Sequence, residues 1–259
     1  MTATTQSVNS SSMLTLAVLE EVGRRQPVSL VELAALFDRP KTTVHRALLT
    51  LSNAGWIRRN GPERTRWILT PRAVGVARQA GNVQGLRDLA RPVLARLRAD
   101  TGESTLLAVV DDRSWCVVEF LEGLRPIRLS LVDGIGVRYP LHAGANGKVI
   151  LATWSPDDIE QYIEGGLDSQ TPSTPTSAER LLADLDAVRV SGHAFTHGEA
   201  LEDTSGVAAA IVDDAGLAVG SLSVGLPTYR LAELEAREEI ARLVTRAADE
   251  VSSAIQAFT

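Results

Sequence analysis

Lys41, Thr42, Thr43, His45, Arg46 and Thr50 crowd into one short stretch that opens after Pro40. Val44, Ala47, Leu48 and Leu51 fall at i, i+3, i+4 and i+7, which commits one helical face of that stretch to a core. Rotation by about 100° per residue turns Thr42, His45, Arg46, Leu49, Thr50 and Asn53 away from that face, with Lys41 and Thr42 in the first turn. Hydroxyls and backbone amides at a helix N-terminus hold phosphate, and Arg, His and Thr reach base edges in a major groove. Arg58, Arg59, Arg64 and Arg66 follow on a short hairpin around Asn60-Gly61-Pro62-Glu63, where cations suit phosphate or minor-groove contact. Taken alone the helix face equally fits an ordinary solvated surface. The order helix, helix, turn, helix, basic hairpin tips the reading toward double-stranded DNA.

The elements that would position these groups are legible around them. Leu16, Leu19 and Val22 predict a first helix running to about Val22 and stopped by Gly23. Ser29 and Glu32 have the spacing of a capping box, predicting a second helix to about Phe37 with Leu33, Ala34 and Leu36 or Phe37 inward. Asp38-Arg39-Pro40 breaks the chain, and Pro40 opens the third helix, since its missing N–H costs nothing in a first turn. Gly55 ends that helix, and strands are expected over Trp56 to Arg59 and Arg66 to Leu69.

The whole chain of 259 residues carries a net charge of −6, which by itself argues against a nucleic-acid partner. The charge is unevenly spread: residues 1–80 hold 11 Arg and Lys against 5 Asp and Glu, so the acidity belongs to the rest. Local neutralisation of phosphates decides DNA affinity, so a basic module on an acidic body is a credible binder. A hydrophobic share of 44% against 22% charged residues supports folded cores and excludes a wholly disordered chain. The single cysteine, Cys116, rules out an intrachain disulfide framework and zinc sites built on cysteine pairs. Residues 1–12 contain no basic cluster and no apolar run, so we expect a loose tail, no membrane association and a cytoplasmic address.

Beyond a winged helix-turn-helix domain over 13–72, residues 73–85 are rich in glycine and are expected to be a linker to a domain spanning 86–259. Leu86, Leu89, Ala90, Val93, Leu94 and Leu97 predict a helix closed by Thr101-Gly102. Thr105 to Val110 and Trp115 to Leu121 form a predicted hairpin, with a third strand over Ile127, Leu129 and Leu131. Gly206 to Val212 and Leu217 to Val224 form another. Helices are expected over 146–153, 157–164 and 178–190, and a last long one carries Leu234, Ile240, Val244, Ala247, Val251 and Ile255. Hairpins separated by helices describe an α+β domain with helices on an antiparallel sheet. His142, His193, His197, Glu199 and Cys116 are the conceivable metal ligands. His193 and His197 on one strand would stand about 13 Å apart, too far to chelate one ion. No metal site and no cofactor are expected, and Cys116 is expected to be an inert strand residue.

The segment PVSLVELAALFDRPKTTVHRALLTLSNAGWI, residues 27–57, resembles the DNA-binding domain of IclR-type bacterial transcriptional regulators, most specifically at Pro40-Lys41-Thr42-Thr43-Val44-His45-Arg46. YPLHAGANGKVILA (139–152), VRVSGHAFTHGEA and AVGSLSVGLP are similar, in order, to the same family's effector domain. The resemblance implies a GAF-like C-terminal fold, a homodimer or homotetramer, and a small organic acid as effector. Carried over by position, it implies a pocket built on the backbone amides of Ala145 and Asn146, on Thr196, and on Ser221 and Ser223. Leu129, Leu131 and Leu141 then supply an apolar wall. Three positions depart from the family pattern, Leu14 replacing an arginine, Trp67 a tyrosine and Gly225 a serine, and extra residues stand between Glu199 and Gly206.

Together these readings predict a sequence-specific regulator, a repressor by preference, that binds a palindromic operator and is modulated by an organic acid. The competing classes are an enzyme acting on a small carboxylic acid and an architectural DNA binder without a ligand. The sequence contains no GxSxG elbow, P-loop, HExxH or spaced acid pair, so no catalytic activity is expected.

Overall fold

The computed structural model describes residues 9–61, 65–77, 81–130, 134–231 and 234–257. The chain divides into two compact units, residues 1–81 and 82–259, and the division falls inside the expected linker.

In the first unit, helix α1 (Ser10–Arg25) begins inside the expected tail because the Asn9 side chain accepts from the amides of Ser11 and Ser12, capping it. It also runs through Gly23, whose missing side chain leaves room for Leu69 packed close by. Strand β1 (Val28–Ser29) leads into α2 (Leu30–Leu36) through the expected capping box, where Ser29 Oγ accepts from Glu32 N and Glu32 Oε2 accepts from Ser29 N. Pro40 caps α3 (Lys41–Asn53), and β2 (Ile57–Asn60) and β3 (Arg66–Leu69) form the wing hairpin. The sequence reading missed β1, which pairs with β3 to make a three-stranded sheet in the order β1-β3-β2. Two residues of strand carry too little pattern to announce themselves. Val18, Val22, Leu33, Val44, Leu48, Ile57 and Trp67 fill the core, and Leu14 packs at its edge. A short α4 (Arg72–Ala77) follows.

The second unit opens with α5 (Gly81–Thr101), which starts several residues earlier than expected. Its sheet is antiparallel: β4 (Ser104–Asp111) and β5 (Ser114–Leu121) form the first hairpin, β8 (Thr204–Val212) and β9 (Ala218–Pro227) the second. With β6 (Arg138–Pro140) and β7 (Ala194–His197) at the edges, the order is β6-β5-β4-β9-β8-β7. Alternation sorts the strand residues between two cores. Leu107, Val109, Val207, Leu222 and Val224 face α5 and the C-terminal α9 (Leu234–Gln256). Leu106, Ala108, Trp115 and Val117 face the opposite layer with α6 (Ala145–Leu151), α7 (Pro156–Glu164) and α8 (Ala178–Ser191). Gly192 ends α8 in the left-handed conformation.

The expected third strand over Ile127, Leu129 and Leu131 does not form. Residues 122–130 run as irregular backbone, and the edge position beside β5 is taken by β6. Pro126 has no N–H to give a ladder, and side chains claim the local carbonyls instead: Ser104 Oγ donates to Leu129 O at 2.7 Å, and Arg128 donates to the carbonyls of Arg125 and Pro126. Leu131 lies outside the described residues. Among those residues, no helix is long and apolar enough to cross a membrane.

Helix α6 lies against the turn before it because residue 147 is glycine: a Cβ there would stand 2.0 Å from the carbonyl oxygen of Leu141. That turn is fixed by His142, which is 1% exposed. Its Nδ1 lies 2.7 Å from the Tyr162 hydroxyl and its Nε2 2.9 Å from the Asp168 carbonyl. A carbonyl only accepts, so Nε2 carries a proton, and with burial favouring the neutral ring Nδ1 is left to accept from the Tyr162 hydroxyl. We expect Gly147→Ala to cost about 1 to 3 kcal/mol or more by forcing backbone apart, read as a lower midpoint in chemical denaturation of the second unit. Burial holds His142 below its ordinary value of 6.5. The unfolded chain therefore takes up the proton first as pH falls, and His142 contributes stability that is present above about 6.5 and is lost on acidification below it. Denaturation midpoints of the wild type and His142→Gln should converge as pH is lowered from 7.5 to 5. Parallel curves would show that His142 does not titrate on unfolding.

Candidate nucleic-acid interface and ligand cavity

On α3 the four apolar positions Val44, Ala47, Leu48 and Leu51 are buried and the remaining face is open. Lys41, Thr42, Thr43, Arg46 and Thr50 are exposed and His45 is half-buried, so the six predicted residues lie together on and around the solvent face of one helix. Thr50 Oγ1 is turned back onto the Arg46 carbonyl at 3.0 Å. Lys41 and Arg46 have no hydrogen-bond or ion-pair partner among the described residues, which leaves both cations available to an external anion. On the wing, Ile57 of β2 points into the core and Arg58, Arg59 and Asn60 are exposed. Arg59 stacks over the buried Trp67 ring at 5.0 Å, and Arg72 stacks over Trp56 at 5.3 Å while donating to Ala54 O. Arg66 points elsewhere: its Nη1 donates to the Pro27 carbonyl at 2.9 Å and lies 3.4 Å from Glu32, tying the wing to the start of α2. The Ser29 amide and hydroxyl, with Arg66 beside them, hold the Glu32 carboxyl below its usual range. Arg64 lies outside the described residues.

The second unit holds a half-open cavity of about 60 Å³ between the start of α6, the sheet and the chain that follows β7. Of the predicted pocket residues, Leu129, Ala145, Asn146, Thr196 and Ser223 line it together. Ser221, fully buried behind them, donates from Oγ to Asn146 Oδ1 at 3.0 Å, which orients the Asn146 amide so that its NH₂ stays free. Leu141 is buried in the core with Trp115 and Ile150 and does not line the space. Thr196 is 5% exposed and Ser223 1%, and neither hydroxyl has a hydrogen-bond partner among the described residues; both residues line the cavity. Gly225 gives Leu129 its place: a Cβ at 225 would stand 2.5 Å from Leu129 Cδ2. The leucine therefore fills space that a larger residue at 225 would occupy, and the cavity is correspondingly small.

Glu199 was considered in the sequence only as a metal ligand, and the structure gives it a different setting. It is 6% exposed and lines the cavity, with Oε1 accepting from Lys148 Nζ at 2.6 Å and Oε2 from Gly144 N at 3.2 Å. Lys148, 3% exposed, also reaches Asp184 at 2.7 Å. Burial pushes the Glu199 carboxyl above its usual range, against the pull of Lys148. Trp115 and Tyr139, stacked at 4.7 Å between ring centres, form a wall that the sequence reading did not anticipate. The only signal for it was an aromatic on each of two strands whose pairing was itself unforeseen. The remaining metal-ligand candidates are dispersed: His142 is in the turn described above, His193 bonds Ser191, and His197 bonds Ser205 and contacts Arg237. Burial raises the Cys116 thiol above its ordinary value, as expected of an inert thiol.

The sequence profile of the IclR helix-turn-helix domain matches residues 15–61, and that of the bacterial transcriptional regulator IclR C-terminal domain matches residues 79–253. The HTH-type transcriptional regulator KdgR of Escherichia coli is 31% identical over 242 residues, covering 92% of this chain and 90% of its own. The transcriptional repressor IclR of the same organism is 29% identical, covering 88% and 82%. In fold, the Thermotoga maritima IclR structure superposes with a TM-score of 0.77 at 22% identity, covering 95% of this chain and 98% of its own. An IclR homologue from Microbacterium hydrocarbonoxydans, crystallised with 4-hydroxybenzoate, gives 0.74 at 21% identity, covering 95% and 99%. With both domain profiles matched in order and together covering most of the chain, this protein belongs to the IclR family of bacterial transcriptional regulators.

Proposed function

We propose that the protein is a cytoplasmic repressor that reads a palindromic operator through α3 and releases or tightens its grip when a small organic acid enters the cavity of the second unit. The observation that carries the reading is the pairing of two features in one chain: a helix face whose cations Lys41 and Arg46 have no partner among the described residues, and a half-open cavity lined by two buried residues, Thr196 and Ser223, whose hydroxyls have none either. Lys41, Thr42 and Thr43 are assigned to phosphate, His45, Arg46 and Thr50 to base edges, and Arg58 and Arg59, with Arg64, to the flanking backbone. Arg66 is assigned a supporting role, since Pro27 and Glu32 already engage it. Two copies would present two such helices to the half-sites of a palindrome, so we assign a homodimer, or a homotetramer built from dimers. In the cavity, Asn146, Thr196 and Ser223 hold the acid's carboxylate, helped by the amides of Ala145 and Asn146, with Ser221 in support and Leu129 as the apolar side. The 4-hydroxybenzoate bound to the Microbacterium homologue supports an organic acid as the ligand class. Binding, with no turnover, is the second unit's role in this reading, in keeping with relatives named as regulators and repressors.

Selection of bound fragments from genomic DNA at fixed salt, with and without carboxylic acids, should enrich a few palindromes whose occupancy changes with one acid. On the recovered site, Arg46→Ala should lose about 1 to 3 kcal/mol, roughly 5- to 150-fold in Kd, and relax preference at one position of each half-site. Lys41→Ala should instead weaken all sequences alike and reduce the slope of log K against log salt by about one. Unchanged sequence preference in Arg46→Ala would remove α3 from base reading.

A further inference from the structure

The cavity holds one group that the binding of a simple carboxylate leaves unused. Glu199 is as buried as the hydroxyls around it and faces the same space. A carboxylate offers about four acceptor positions: Lys148 donates to Oε1 and Arg180 Nη2 stands 3.8 Å from it, while Oε2 accepts, among the described residues, from the amide of Gly144, which lines the same cavity. The acceptor position left on Oε2 has a specific chemical meaning. An anionic group placed against it would be repelled, while a methyl group would leave the acceptor stranded away from water. Only a hydrogen-bond donor satisfies it. The donors that a ligand carboxylate needs lie elsewhere on the wall. Thr196 Oγ1 belongs with Gly206 and Ala145: a Cβ at 206 would stand 3.5 Å from each of them. Glu199 belongs with Gly144, whose own neighbours are Ala200 and Trp115.

We infer that the cavity selects a short 2-hydroxy acid, whose carboxylate is held by Asn146, Thr196 and Ser223 and whose hydroxyl donates to Glu199, making Glu199 the residue that discriminates hydroxy acids from their deoxy counterparts. The inference rests on the organic-acid reading above and narrows it. The space is small, about 60 Å³, which favours short acids such as glycolate and lactate. The Gly225–Leu129 contact is what keeps the space this short.

The test compares matched pairs on the full-length protein by calorimetric titration at pH 7.5: glycolate against acetate, and each enantiomer of lactate against propionate. The hydroxy member of a pair should bind about 10- to 100-fold tighter, the usual worth of a hydrogen bond to a charged group. In Glu199→Gln, and in Glu199→Asp, which keeps a charge for Lys148 but withdraws it from the cavity, that preference should shrink below about threefold. Thr196→Ala and Ser223→Ala should weaken both members of each pair by the same factor and leave the preference in place. Thermal melts confirm that each variant is folded, and the wild-type pairs test the inference even if one variant is not. Equal affinity within each wild-type pair would overturn the hydroxyl assignment while leaving an acid sensor standing. Preference retained in both Glu199 variants would overturn Glu199 as its source. Binding of 4-hydroxybenzoate or longer acids without any binding of the short ones would overturn the size limit. Silence toward every acid, long and short, would instead remove the organic-acid reading itself.

Discussion

The second unit is organised around an ion pair that has almost no contact with water. Lys148 and Glu199 are 3% and 6% exposed and 2.6 Å apart. Charges taken out of water lose hydration that only a close partner and further hydrogen bonds restore, and stripping one member from such a pair costs about 3 to 5 kcal/mol. The chain honours this constraint on both sides. Lys148 projects from α6, which the glycine at 147 allows to lie flush on the Leu141 carbonyl. Glu199 follows β7 and reaches back to the Gly144 amide, while Asp184 of α8 gives Lys148 a second partner at the rim. One pair thus fixes three segments, and the space they leave between them is the cavity. Its outline is set less by apolar residues seeking one another than by where two buried charges must meet.

The first unit meets the opposite requirement. Lys41 and Arg46 of α3 are exposed and without a partner among the described residues, which leaves them to replace counterions on a phosphate backbone. The anions that do occur near them are consumed locally: Glu32 serves the capping box and Arg66, and Glu21 takes Arg24 and Arg25 along α1. The Arg and Lys excess of residues 1–80 against the acidic remainder therefore expresses a division of tasks. An acidic surface on the larger unit discourages it from competing for the same polyanion.

Legibility followed periodicity. The face of α3 could be assigned residue by residue because four apolar positions on a helix determine where the other residues point. The two long hairpins were equally plain as strands, although a bulge in each shifts the pairing between Leu107 and Ala108 and between Ile211 and Val212; alternation is what puts Ser223 on the cavity side of β9 and Val224 on the other. What stayed hidden depends on contacts between distant segments. Ile127, Leu129 and Leu131 alternate as a strand would, but the Ser104 hydroxyl claims the Leu129 carbonyl from 25 residues away. The strands β1 and β6, of two and three residues, are defined only by the partners that receive them. Of the predicted pocket, Leu141 looked suitable by composition and proximity, yet its side chain turns into the core while its carbonyl receives α6. Glu199 looked like a metal ligand because nothing local reveals that a lysine fifty-one positions earlier will neutralise it.

The cavity wall also departs from what stability alone would select. A hydroxyl that faces a cavity without a protein partner adds no hydrogen bond to the fold, and an apolar residue of similar shape would serve stability as well. Thr196 and Ser223 could be valine and alanine without disturbing any hydrogen bond among the described residues. Gly206 and Gly225 likewise leave backbone without side-chain packing in the middle of strands, where glycine is disfavoured. Such locally unfavourable choices cluster where a fold is committed to something outside itself. Here they converge on one space of about 60 Å³, beside a carboxylate with acceptor capacity to spare. A ligand that supplies a donor to Glu199 and acceptors to the hydroxyls adds partners that the chain itself does not provide. Its binding energy then includes the relief of those unpaired groups, which lets a molecule of only a few atoms bind with consequence for the fold that surrounds it.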